Sequence, residues 1–400
     1  MTTTDASGAG PTWAIIAGGG TAGHVLPGLA VGRELVRRGH DPASIHFVGA
    51  ERGIEVRLVP EAGFGLTVLP GRGIERTVSL QNVVAVLGLV SALWKAIVLV
   101  RRRRPAVVLA LGGFASAACA IAAVLWRVPL VVADQNARAG AANKLVARFA
   151  AASAVPFEET DLPKAVVTGN PVREEILAVG ADRDRAGARA ELGLPEDRTV
   201  VVAFAGSLGS RRLNTALYGA VERWADRDDL AVHHVIGSRD WEDRPDLARG
   251  AGLGDGAGEG GAAEGATGLV YQPVRYQDRM DLVLAAADLA VCRAGGTTVA
   301  ELAVVGVPAV LVPLPIATRD HQTANAGPLV RAGAAVLVAD DELDTDRLVA
   351  EVERLLGGGG GGLTAMGAAA RSVGRPDAAA AVADLVERAA SGERGGSGGR

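Results

Sequence analysis

The chain has 400 residues, 49% of them apolar and 22% charged, with 41 Lys and Arg against 45 Asp and Glu for a formal net charge of −4. That balance supports a packed core, excludes global disorder and argues against a nucleic-acid partner. The length suits two domains. The two cysteines, Cys119 and Cys292, stand far apart without a CxxC spacing or a histidine partner, so they read as buried thiols of a reducing compartment. The opening MTTTDASGAGPT has no basic start and no apolar core, unlike a signal peptide.

The first predicted strand, residues 13–17, runs into GGGTAGHVLPG (18–28), and a helical pattern follows over 26–38. Gly18, Gly20 and Gly23 satisfy GxGxxG between a strand and a helix. A dinucleotide site also needs an acid at the end of the second strand. That strand is predicted at 45–48; Glu51 follows it, whereas Asp41, at roughly the right spacing, precedes it. A nicotinamide-dependent oxidoreductase is therefore an incomplete reading. His24, in the first helical turn, is either a solvent-facing helix start or a group that acts beside the loop.

VVAVLGLVSALWKAIVLV (83–100) is 18 residues with one charge, Lys95, and Arg101, Arg102, Arg103 and Arg104 follow. A spanning helix needs about 20 apolar residues. Lys95 lies well inside, Gly88 and Ser91 interrupt the run, and a buried strand follows at 107–111. A helix of the globular domain is expected. Its arginines are either simply solvated or suited to anionic lipid. A helix at 116–125 and a strand at 130–133 complete the first alternating set.

A second set has strands at 200–205, 232–236, 289–292 and 309–313. Such alternation means βαβ units and parallel, doubly wound sheets, here two Rossmann-like domains facing one cleft, with the boundary near 168–174. GAGLGDGAGEGGAAEGATG (250–268) and the glycines at 357–362 are expected to be flexible surface loops.

Three more strand-to-helix turns share the plan: LGGFASAACA (111–120), AGSLGSRRLN (205–214) and CRAGGTTVAEL (292–302). Unpaired amides at such helix starts can bind a diphosphate without a metal, and no DxD or His/Asp/Glu cluster is read as a Mg²⁺ site. Thr298 and Glu301 fit T-x-x-E, a capping box; alternatively Glu301 accepts from a ribose diol. DHQTANA (320–326) either faces the cleft or closes a loop.

GGGTAGHVLPGLAV, GGFAS, QNARAGAANK, GNPVR, GSLGSRRLN, CRAGGTTVAELAVVGVPAVLVPLP and DHQTANA occur in that order. Together they resemble the MurG family of peptidoglycan N-acetylglucosaminyltransferases, in glycosyltransferase family 28, from about residue 13 to 390. The resemblance implies an α/β GT-B fold. Residues 11–172, joined by a C-terminal helix at about 376–390, would form an acceptor and membrane-associated domain. Residues 173–375 would bind UDP-GlcNAc, and 391–400 would be a disordered tail. It implies inverting transfer of N-acetylglucosamine from UDP-GlcNAc to the muramoyl 4-hydroxyl of lipid I, giving lipid II. The reaction would run at the cytoplasmic face of the bacterial membrane with no cofactor and no metal, and residues 83–104 would meet an anionic membrane surface.

Carried over by motif, His24 is the catalytic residue, as base or hydrogen-bonding partner of the acceptor hydroxyl. Thr21, Ala22 and Gly23 would lie beside the donor sugar and diphosphate. Asn136 and Gln322 would contact the sugar, and Arg173 and Ser207 the diphosphate region. Gly296, Thr297, Thr298, Val299, Ala300 and Glu301 would line the UDP site, with Glu301 on the ribose. The chain departs from the family pattern at Asp134 for a glutamate, Ala139 for a proline and Phe114 for a tyrosine. Further departures are Ala117-Ala118 for glycine-proline, Ala205 for a glycine and Gln277 for an aliphatic residue. Other sugar acceptors and a catalytically inactive relative are the competing readings.

Overall fold

The structure, a computed structural model, describes residues 11–392 apart from Arg52, 72–79, Ser207 and 248–267. The expectations for Ser207, for 393–400 of the tail and for 250–267 of the glycine-rich stretch lie outside the described residues. The chain divides into two units, Met1–Arg173 with Arg375–Arg400, and Glu174–Gly374.

The first unit holds strands β1 (Ala14–Gly18), β2 (Ile45–Ala50), β3 (Gly65–Leu69), β4 (Val107–Gly112), β5 (Leu130–Ala133), β6 (Ala152–Val155) and β7 (Ala165–Val167). Its helices are α1 (Ala22–Arg37), α2 (Glu55–Glu61), α3 (Leu80–Arg103), α4 (Gly113–Trp126) and α5 (Ala141–Ala147). The strands form one parallel sheet in the order β3-β2-β1-β4-β5-β6-β7, with Ala14 in register with Ile45 on one side and Val107 on the other. β1, β2, β4 and β5 are buried along their whole length, which is why they read as unbroken apolar runs rather than alternating ones. Strand order reverses between β1 and β4. In such sheets ligands bind beyond the carboxyl ends of the strands at that reversal, where the turns at 18–21 and 112–113 lie.

The second unit holds helices α6 (Glu174–Ala181), α7 (Arg185–Leu192), α8 (Arg211–Arg223), α9 (Met280–Ala286), α10 (Gly296–Val305), α11 (His321–Arg331), α12 (Thr345–Gly357) and α13 (Gly359–Val373). Its strands are β8 (Thr199–Phe204), β9 (Leu230–Val235), β10 (Val270–Val274), β11 (Leu289–Cys292), β12 (Ala309–Leu311) and β13 (Ala335–Leu337). They are parallel in the order β10-β9-β8-β11-β12-β13, so the reversal falls between β8 and β11. Helix α14 (Ala378–Ser391) belongs to the first unit. Val382, Ala383 and Val386 join Ile16 and Leu109 in its core, and Arg38 pairs with Asp384 and Glu387, each at 2.6 Å.

Two expectations change. The glycines at 357–362 end α12 and open α13 instead of forming a flexible loop. Helical glycine costs roughly 1 kcal/mol per residue against alanine; Leu363 and Met366, which follow, pack on the second core. Helix α4 begins at Gly113, three residues before its predicted start at 116. Segment 83–100 lies within α3, whose Ala92, Ala96 and Val100 face the core of the first unit. Among the described residues no helix is long and apolar enough to cross a membrane.

Candidate active site

In the first unit the turns after β1 and β4 pack on each other. A Cβ on Gly113 would lie 3.1 Å from the Gly19 carbonyl, and one on Gly112 would lie 2.8 Å from His24 Nε2. Gly112 adopts φ +122° and ψ 170°, a conformation open to glycine and little else. The His24 ring can therefore rest against the end of β4. Thr21 is the N-cap of α1, yet its side chain makes no capping bond; its Oγ1 lies 3.3 Å from His24 Nδ1. Burial holds the imidazole below its ordinary pKa, against the opposing pull of Asp134, the Gly19 backbone and Glu55. His24 is thus neutral near pH 7 and able to take a proton.

Asp134 organises the next loop. Its carboxylate accepts from the Asn136 amide (3.0 Å), the Gly140 amide (2.8 Å) and Asn143 Nδ2 (2.8 Å). That fixes the backbone carrying Asn136, whose carbonyl accepts from Thr160 Oγ1 at 3.4 Å. Phe114 packs on the core of the first unit. Thr21 and Ala22 are exposed, and Gly23 and Arg173 are half-buried.

In the second unit the turns after β8 and β9 interlock. Gly209, at φ +82°, would place a Cβ 2.1 Å from the Ile236 carbonyl, so no larger residue fits. Ser210 then caps α8, its Oγ accepting from the Leu213 amide at 3.4 Å. Asn214 Nδ2 donates to the Ile236 carbonyl and to Asp240, both at 3.1 Å. Its Oδ1 accepts from His234 Nε2 at 3.0 Å, and His234 Nδ1 accepts from the Tyr271 hydroxyl at 3.0 Å. Burial pushes His234 down to about 3, consistent with that neutral tautomer. Arg293 ties three loops together: it donates to Ser210 Oγ (2.6 Å) and to the carbonyls of Val312 (3.1 Å) and Pro313 (3.0 Å), and pairs with Asp340 (2.6 Å).

Helix α10 starts at Gly296 with Gly295 as N-cap and no capping side chain. Thr298 therefore sits inside the first turn, and Thr298 with Glu301 is not a capping box. Thr297, Thr298, Ala300 and Glu301 are half-buried, whereas Gly296 is buried and the Val299 side chain points into the core at 2% exposure. Val299 can offer a ligand only its backbone. Gln322 Oε1 accepts from the Leu314 amide at 2.9 Å, which commits one end of that side chain to its own loop. Gln277 Oε1 likewise accepts from the Arg279 amide at 3.1 Å.

Among the described residues no group of three His, Cys, Asp or Glu is placed to hold a metal ion. Sequence reasoning missed Glu55, Arg293 and the seat of His24 on Gly112. Apart from the Ala50 amide, the partners of the two charged residues lie about twenty or more positions away, so no local pattern announces them.

Two doubly wound parallel sheets, each with glycine turns at its strand-order reversal, define a two-domain enzyme of the nucleotide-binding α/β type. The Glycosyltransferase family 28 N-terminal domain matches residues 14–155 and the Glycosyltransferase family 28 C-terminal domain matches 200–382. The UDP-N-acetylglucosamine--N-acetylmuramyl-(pentapeptide) pyrophosphoryl-undecaprenol N-acetylglucosamine transferase of Desulforudis audaxviator is 36% identical over 381 residues, covering 94% of this chain and 98% of that protein. The transferase of the same name from Alkalilimnicola ehrlichii is 40% identical over 374 residues, covering 93% and 97%. The crystal structure of Acinetobacter baumannii MurG superposes with a TM-score of 0.69 at 26% identity, covering 94% of this chain and 100% of that one. The chain belongs to glycosyltransferase family 28, and its fold is GT-B.

Proposed function

We propose that the protein transfers N-acetylglucosamine from UDP-GlcNAc to the 4-hydroxyl of the N-acetylmuramoyl unit of lipid I, forming lipid II with inversion at the anomeric carbon. The observation that carries this is the 36–40% identity, over more than nine-tenths of the chain, to transferases named for that reaction. The first unit supplies the base: His24, neutral by burial, takes the acceptor proton as the oxygen bonds to the sugar. Asn136 and the Thr21, Ala22 and Gly23 segment orient the donor sugar and diphosphate.

The second unit binds the nucleotide. The amides that open α10 meet the negative charge that grows on departing UDP, and Arg173, the last residue of the first unit's 1–173 segment, adds its charge. Ser207 joins them, Glu301 accepts from the ribose and Gln322 contacts the sugar. The chemistry calls on no cofactor. A nicotinamide site fits the first unit poorly, because the Gly20 amide already donates to Glu55.

The acceptor is lipid-linked, and the first unit carries apolar side chains suited to a bilayer surface. Val90 and Trp94 on α3, Leu125 on α4, Leu145 on α5 and Phe149 just past it are each more than half exposed. Arg101 lies 4.5 Å over the Trp126 ring and Arg148 lies 4.7 Å over Phe149. These helices pack side by side, α3 on α4 and α4 on α5. Residues 83–104 with α4 and α5 thus form the proposed contact with anionic lipid at the cytoplasmic face, a peripheral attachment. Replacing Arg101, Arg102, Arg103 and Arg104 with Gln should weaken binding to anionic vesicles; undiminished binding contradicts the contact.

The test of the chemistry is His24→Ala. Turnover with a lipid I analogue should fall by about 10²-fold or more, with UDP affinity little changed. An equal loss of UDP binding would make His24 a structural residue.

A further inference from the structure

Glu55 begins α2 just after β2, and its side chain turns back into the first unit at 1% exposure. Its two oxygens accept from the Gly20 amide at 3.0 and 3.2 Å, and Oε1 also accepts from the Ala50 amide at 2.6 Å. Three glycines make room for it. A Cβ on Gly19, Gly49 or Gly53 would fall 2.1, 2.5 or 1.9 Å from the Glu55 side chain. A buried carboxylate is unfavourable unless donors meet it, and here the backbone of the turn after β1 and of the end of β2 is shaped to do so. An amide in a glycine turn between a strand and a helix ordinarily faces a ligand phosphate. In this turn an internal anion holds it. The neighbouring residue, Gly19, is the one whose carbonyl meets Gly113, and its backbone is among the groups that act on the His24 imidazole.

We infer that Glu55 is a positioning residue for the transfer reaction: its carboxylate closes the first glycine turn on itself, keeps that turn's amide from phosphate, and fixes the backbone against which His24 is seated. The inference rests on the reading of His24 as the base. Gln at this position keeps the volume but sets an NH₂ group against backbone N–H donors. Asp keeps the charge but falls one methylene short of spanning both amides.

The experiment is Glu55→Gln in the full chain, made alone and on the His24→Ala background, with kcat, KM for UDP-GlcNAc and the His24 imidazole NMR signal as readouts. A displacement of the base by a fraction of an ångström should lower kcat by about 10- to 100-fold and leave KM little changed. On His24→Ala the same substitution should lower kcat by less than about 3-fold, because the two residues act as a unit. The imidazole signal should move in Glu55→Gln. A wild-type kcat in the folded variant, or an equal loss on both backgrounds, overturns the inference. If Glu55→Gln does not fold, Glu55→Asp is put through the same three readouts. If His24→Ala retains full kcat, the base reading fails by itself. The NMR signal then decides for Glu55: a shifted signal upholds its seating of His24 and an unshifted one overturns it.

Discussion

Gly112→Ala tests the seat of His24 with the smallest possible change. At φ +122° and ψ 170° a residue with a Cβ carries about 1–3 kcal/mol of backbone strain. The new methyl would also stand 2.8 Å from His24 Nε2 and 3.0 Å from Cδ2. Comfortable contact begins near 3.5 Å, so the ring must retreat by roughly 0.7 Å. Misplacing a reacting group by about 1 Å can cost 10²-fold, so kcat should fall by about 10- to 100-fold. KM for UDP-GlcNAc should change little, because the residues assigned to the uridine and ribose, 296–301, belong to the other unit. Steady-state transfer to a lipid I analogue and urea titration measure the two effects separately. On the His24→Ala background the steric part disappears and only backbone strain remains. Unchanged kcat in a folded Gly112→Ala protein would refute the seat. So would a stability loss that is the same with and without the imidazole.

Glu301→Ala should raise KM for UDP-GlcNAc by about 10-fold or more, since a lost carboxylate leaves sugar hydroxyls unpaired. Its melting temperature should hold, because α10 is already under way at Gly296; a drop in melting temperature with KM unchanged would reverse the assignment. Stability should fall as the solution is acidified below pH 6.5. Burial pushes His46 down to about 4 and His234 to about 3, so over that window the unfolded chain binds protons that the folded one refuses. His46, bonded to Thr67 Oγ1 at 2.8 Å, contributes up to about 3 kcal/mol between pH 6.5 and 4. Urea midpoints at pH 7.5, 5.5 and 4.5 should decline, less steeply in His46→Gln; a flat profile contradicts the burial argument.

The parallel sheets were legible because strands buried on both faces must be continuously apolar, and runs such as Ala14–Gly18 and Val107–Gly112 are. The glycine turns were legible for the same local reason: each directly follows such a strand. What escaped depends on distance along the chain. A carboxylate does meet the first glycine turn, but it is Glu55, five residues past the end of β2, and its partner Gly20 is 35 positions away. The Thr298–Glu301 spacing suggested a cap, yet the turn leaving β11 starts the helix three residues earlier. The glycines at 357–362 looked structureless, yet they end α12 and open α13, and residues after them pack on the second core.

The most direct test of the account is transfer of radiolabelled N-acetylglucosamine from UDP-GlcNAc by the purified full chain, with lipid I set against a panel of other lipid and small-molecule acceptors. The account predicts label on lipid I, recovered as lipid II, and loss of that product in His24→Ala. Label on a different acceptor with none on lipid I, or lipid II formed at the wild-type rate by His24→Ala, would contradict it.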